Sequence, residues 1–147
     1  MAKEKQEKQA TWKDKMKEFG GGNFTFLSED GETLTFIVVG LPQLLVSKYK
    51  GKENERIGCP VVTDEGYQLF VTGKRLARKI SKHESAFATS ALMVTRHGES
   101  GDINATYNVT VLPEPETFTR LYAIKATDFE ESMIAESVSE ASKVLDN

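Results

Sequence analysis

A chain of 147 residues with a formal net charge of −3 and 39% hydrophobic residues has room for one globular domain with short appendages. No apolar run approaches the roughly 18–20 residues that span a bilayer, and the opening MAKEKQEKQATWKDKMKEF has no apolar core, so neither a membrane segment nor a secretory signal is expected. Cys59 is the single cysteine, which forbids an intrachain disulfide and favours the cytoplasm. With only His83 and His97 beside it, a Cys/His zinc cluster is excluded.

Residues 2–18 are charged, with Trp12, Met16 and Phe19 at helical spacing, and Gly20-Gly21-Gly22 follows as a joint. This predicts a short N-terminal helical arm over residues 1–22. From Asn23 the period changes to two. Phe24 and Phe26, then Leu34, Phe36 and Val38, alternate on either side of Glu29-Asp30-Gly31, which predicts a hairpin. Leu44–Tyr49 reads as a strand running into a polar loop over 48–58 that bears Lys48, Lys50, Lys52 and Arg56. Val61-Val62 and Tyr67–Thr72 form a second hairpin around Asp64-Glu65-Gly66. Lys74–His83 then has Leu76 and Ile80 four apart, with Lys74, Arg78 and Lys82 on one flank and Arg75 and Lys79 on another, as in an amphipathic helix.

A last hairpin joins Leu92–Thr95 to Tyr107–Leu112 through a polar connection opening on Arg96-His97-Gly98. Five or six short strands with one helix late in the order predict a mostly β domain over residues 23–113, a small OB-like barrel with one inserted helix, with an SH3-like barrel or an open α+β sheet as the alternatives. Beyond Pro113-Glu114-Pro115, residues 114–147 read as an acidic helical tail. Phe118, Leu121 and Tyr122 form one stripe there, and Thr127-Asp128-Phe129-Glu130 reads as a capping box ahead of Ile134, Val138, Ala141 and Leu145.

No catalytic constellation can be assembled. Gly73-Lys74-Arg75 lacks the upstream glycine of a phosphate loop, and the acids Asp64, Glu65, Glu99 and Asp102 all lie in turns. Neither catalysis, nor a metal, nor a cofactor is expected. Charge is distributed unevenly: residues 45–98 hold ten Lys/Arg against five acids, whereas residues 114–147 hold three against eight. Cations for phosphates and rings for bases are interleaved in the basic half, the pattern by which single-stranded nucleic acid is held. The candidates for phosphate are Lys48, Lys50, Lys52, Lys74, Arg75, Arg78 and Arg96. The aromatic candidates are Tyr49, Tyr67, Phe70 and Tyr107; Phe70 shares parity with Gln68 and Thr72 and is expected to face outward, while Tyr107 shares parity with Val109 and Val111 and is either core or groove.

Taken together, these segments resemble the single-stranded DNA-binding proteins of tailed bacteriophages. The resemblance covers roughly residues 23–113 and rests on FTFLSEDGETLTFIVVG, on Cys59-Pro60 before YQLFVTG and the helix KRLARKISKH, and on VTRHGESGDINATYNVTVLP. It implies roles for Arg96, Gly98, Asp102, Thr106 and Tyr107 at the DNA groove. It also implies sequence-nonspecific binding in phage replication or recombination, and an acidic C-terminal tail that engages replication proteins. Several members bind zinc within this domain; here only Cys59 remains of such ligands. A homo-oligomer is compatible with this reading; the competing readings are an RNA-binding module and a phage structural or host-interaction module whose barrel binds protein.

Overall fold

A computed structural model of the protein describes residues 23–49 and 51–145, with Tyr49 described by its backbone alone. The expected N-terminal arm, with Trp12, Met16 and Phe19, lies outside the described residues, as does Lys50. The elements in chain order are β1 (Phe24–Thr25), β2 (Thr33–Val38), β3 (Gln43–Tyr49), β4 (Lys52–Thr63), β5 (Gly66–Thr72), α1 (Lys74–Ser81), a 3-10 turn (Glu84–Ala86), β6 (Leu92–His97), β7 (Thr106–Val111), α2 (Pro115–Asp128) and α3 (Ser132–Leu145). The protein is mostly β, as its alternating pattern predicts.

All seven strands belong to one mixed sheet with the path β1-β5-β4-β2-β6-β7, and β3 branches from β4. The sheet is open, with β1 and β7 at its two ends, where a closed five- or six-stranded barrel was expected. Strand β4 makes the branch. One edge pairs with β5 from Ile57↔Thr72 to Thr63↔Gly66. Its other edge is shared: Lys52 to Gly58 pairs with β3, and Val61 and Val62 pair with β2.

Two local expectations are corrected. The turn at Glu29-Asp30-Gly31 forms, with Gly31 at φ 82° and the Glu32 amide donating to the Glu29 carbonyl, but it joins no hairpin. β1 instead runs parallel to β5, Phe24↔Leu69 and Thr25↔Phe70. The polar loop over 48–58 is a β-arm, in which β3 and β4 pair from Gln43↔Gly58 to Tyr49↔Lys52 around Gly51 at φ 78°. Such a φ is easy only for glycine, so the turn is fixed by sequence even though the strand beyond it is polar on both faces. The hairpin at Asp64-Glu65 and the amphipathic helix form as expected, with Leu76 and Ile80 the buried residues of α1.

Three apolar clusters hold the layers together. The first draws Phe36, Cys59, Val61, Phe70, Leu92 and Val94 from four strands and is covered by Leu76 and Ile80 of α1. Phe36 and Phe70 meet there with ring centroids 5.6 Å apart and planes tilted by 56°, the edge-on geometry aromatic pairs prefer. On the opposite side, Ile37, Val62 and Tyr67 pack under α2 through Leu121. Leu45, Leu69 and Val71 pack under α3 through Ala141, with Phe24, Val138 and Leu145 at the border.

Helix α2 begins at Pro115, where a missing N–H costs nothing, and Arg120 reaches back in a two-point ion pair to Asp64 in the β4–β5 turn. The expected capping box is not built. Thr127 belongs to the last turn of α2, its hydroxyl donating to the carbonyls of Ala123 and Ile124, and α3 starts only at Ser132. A threonine hydroxyl within reach of its own helix's carbonyls has no need to cap the next one. The acidic segment is therefore docked rather than loose. The Tyr67 hydroxyl lies 2.8 Å from Ser137 Oγ, and Ser137 and Ala141 are fully buried. Among the described residues, no helix is long and apolar enough to cross a membrane.

Removing residues 132–147 should uncover Leu45, Leu69 and Val71. Lost burial of Val138, Leu145 and their partners should lower unfolding free energy by roughly 3–6 kcal/mol. Urea titration of the full and truncated chains checks this, and an unchanged midpoint would show that α3 contributes no packing.

Candidate nucleic-acid interface

The β6–β7 hairpin is longer than its apolar alternation suggests. Arg96 and His97 pair with Tyr107 and Thr106, so the Arg and Tyr stand directly opposite one another. The Arg96 side chain is turned inward and only 7% exposed. Its Nε donates to the Gly98 carbonyl at 2.8 Å, Nη2 to the Glu99 carbonyl at 2.7 Å, and Nη1 to the Tyr107 hydroxyl at 2.7 Å. The guanidinium carbon is also 5.8 Å from the centroid of the Tyr107 ring. Arginine's planar fork holds two loop carbonyls and one hydroxyl at once, which no other side chain can do.

That fork sets the course of the connection over 98–105. Gly98 sits at φ 133°, and a Cβ there would be 2.8 Å from the Cβ of Ala105. Its amide donates to Asp30 Oδ1 at 2.9 Å, fastening the connection to the first turn. Asp102 closes the tip: its amide bonds the Glu99 carbonyl, and its Oδ1 accepts from the Asn104 amide. The result is a fixed loop that leaves Ile103 95% exposed.

Between this loop and the N-terminal end of α1 lies a recess of about 360 Å³. Arg56, Lys74, Arg75, Lys79 and Arg96 line it, with Tyr107, Ile103 and a single acid, Asp102. A second recess of about 250 Å³ shares Arg56, Gly73, Leu76, Arg96 and Tyr107 with the first and extends it towards Phe26, Thr72 and Leu145. The two form one groove with five cationic side chains along it. Lys74 is ion-paired to Glu55, and Lys79 Nζ donates to the Tyr107 carbonyl at 2.8 Å. Arg56 and Arg75 make no ion pair among the described residues.

The expected site residues separate into groups. Lys74, Arg75, Arg96 and Tyr107 come together in the groove. Lys48 and Lys52 are exposed on the β3–β4 arm and line neither recess; Lys50 and the Tyr49 side chain lie outside what is described. Arg78 is exposed on the other flank of α1, against a different cavity. Two aromatic expectations are corrected. Phe70 is 1% exposed and Tyr67 is 5% exposed, because β5 is covered on both faces, by the first cluster and by α2 and α3. Parity cannot distinguish inside from outside on such a strand.

Arg56, Lys79, Phe26 and Ile103 are groove residues that the sequence pattern did not single out. Phe26 is 54% exposed because β1 ends at Thr25, which frees it from the pairing that half-buries Phe24. For Ile103 a signal was present: it is the one large apolar residue in an otherwise polar connection. Among the described residues no three His, Cys, Asp or Glu side chains gather as a metal site. Cys59 is buried in the first cluster. Desolvation pushes its thiol up from 9.0 to about 11, against a hydrogen bond with Thr72 that lowers it. A neutral buried thiol is a poor nucleophile. No protein family, no curated protein and no solved structure matches the chain.

Arg96→Ala would leave two carbonyls and a hydroxyl without their donor and should cost about 2–4 kcal/mol of stability, with Arg96→Lys recovering only part. Equilibrium unfolding measures both, and an Ala variant as stable as the parent would refute the bracing role. Cys59 generates a pH expectation. Its folded pKa exceeds its unfolded one, so its contribution is complete below about pH 9 and is lost as pH rises towards about 11. Stability measured across that window should fall less steeply in Cys59→Ala than in the parent.

Proposed function

We propose that the protein binds single-stranded DNA along the groove between α1 and the β6–β7 connection, without catalysis and without strong sequence preference. The observation that carries this reading is the convergence of Arg56, Lys74, Arg75, Lys79 and Arg96 on one groove bordered by the exposed ring of Phe26 and the half-buried ring of Tyr107. Cations in a row neutralise a backbone, and ring faces accept unstacked bases of any identity. Arg96 retains N–H groups beyond the three it uses internally, so it can brace the loop and still meet a phosphate.

The first apolar cluster, built from four strands with β7 at its border and covered by α1, supports an OB-like architecture that is splayed open by the β3–β4 arm. The resemblance to phage single-stranded DNA-binding proteins supports a role in replication or recombination in the host cytoplasm. Docking of α3 changes how partner proteins would read the acidic segment: they would meet the exposed Glu136 and Glu140 on a fixed helix rather than a loose tail.

Fluorescence titration with oligo-dT, oligo-rU and duplex DNA tests the reading. With about three to five phosphates neutralised, log K against log[salt] should fall with a slope of roughly −2 to −3.5. Arg75→Ala should reduce that slope by about 0.7. Phe26→Ala should cost about 1–3 kcal/mol of binding, with slope and stability nearly unchanged. Tighter binding to oligo-rU would reassign the ligand to RNA, and equal binding to duplex or a flat salt response would refute the proposal.

A further inference from the structure

Helix α1 has a second flank that the groove does not use. There, a cavity of about 460 Å³ lies between α1, the end of β2 and the β2–β3 connection, and β4. Val38, Leu41, Ile57, Ala77, Ile80 and Phe87 give it an apolar wall. Cys59, at 7% exposure, lies at its floor. Leu41 is 76% exposed at its edge, so the apolar surface continues out of the cavity instead of being capped by a neighbour. The volume falls in the range of small-molecule sites, about 300–1,000 Å³.

Charge at the rim selects the occupant. Arg78 is exposed there and makes no ion pair among the described residues; Lys74 stands on the same side, and Glu84 is the single acid. An apolar guest with a cationic head would meet the unpaired guanidinium, whereas a carboxylate or sulfonate head could take its fork of N–H donors.

We propose that this cavity binds a small amphipathic anion, with the apolar part among Val38, Ile57, Ala77 and Ile80 and the anionic head on Arg78. The site meets the basic groove only at Lys74, which lines both; Arg75 and Lys79 face the groove, and Ala77 and Arg78 face the cavity. Its existence does not depend on DNA binding.

The full chain is titrated with 8-anilinonaphthalene-1-sulfonate, then with decanoate and decyltrimethylammonium as competitors of equal tail and opposite charge. Decanoate should displace the dye saturably. The cationic competitor should displace it weakly. Arg78→Glu, at an exposed position that folding tolerates, should weaken decanoate about tenfold, whereas Arg75→Ala should leave decanoate affinity as in the parent. Ala77→Phe should fill the cavity and abolish dye binding; if that variant fails to fold, Arg78→Glu decides alone. Equal displacement by the two competitors, or decanoate affinity lost in Arg75→Ala but kept in Arg78→Glu, overturns the proposal.

Discussion

The backbone of β4 has to satisfy three neighbours, and the arrangement of the molecule depends on how it does so. One edge pairs with β5 from Ile57 to Thr63, while the other is divided between β3 and β2. The two partners take successive stretches of that edge, and residues 52–56 pair with β3 alone, so the β3–β4 arm projects from the sheet. Val39 and Pro60 mark the junction, the Val39 amide donating to the Pro60 carbonyl. Proline suits that position: it has no N–H to give, yet its carbonyl serves the neighbouring strand.

On this frame the groove is organised by a buried cation rather than by the exposed ones. Arg96 holds the carbonyls of Gly98 and Glu99 and the hydroxyl of Tyr107, and the loop so fixed presents Ile103 and frames the recess into which Arg75 and Lys79 project. The exposed cations supply charge, and Arg96 supplies the shape that gathers it. An exposed lysine on the β3–β4 arm has the same charge and no such frame, which is why Lys48 and Lys52 stand apart from the groove despite sharing the basic half of the sequence.

How much of this was legible depends on whether a residue's environment is decided locally. The Asp64-Glu65 hairpin and α1 were readable, because turn chemistry and short-range periodicity determine them, whereas Arg96 and His97 extend the last hairpin beyond its apolar alternation. The β1–β5 pairing was not: two residues make too short a strand for any pattern, and parallel pairing across the intervening chain leaves no local mark. The β3–β4 arm was hidden because Lys52–Arg56 is polar on both faces, so backbone pairing alone forms it. Phe70 misled because alternation is informative only on a strand with one wet face, and β5 has none. The gathering of Arg56 with Lys79 is a tertiary event, set by how α1 lies on the sheet.

The third apolar cluster has a consequence for the order in which the molecule assembles. Phe24, in the first described strand, and Val138 and Leu145, in the last helix, border the same patch of Leu45, Leu69 and Val71. Hairpins such as β4–β5 and β6–β7 close short loops and can form early, whereas this patch requires almost the whole described chain and carries the largest closure entropy. A chain emerging from the ribosome would therefore possess its sheet before it could cover that face. Until α3 arrives, Leu45, Leu69 and Val71 are exposed to other nascent chains, so the late-made helix acts as the lid that ends the interval in which the protein is prone to aggregate.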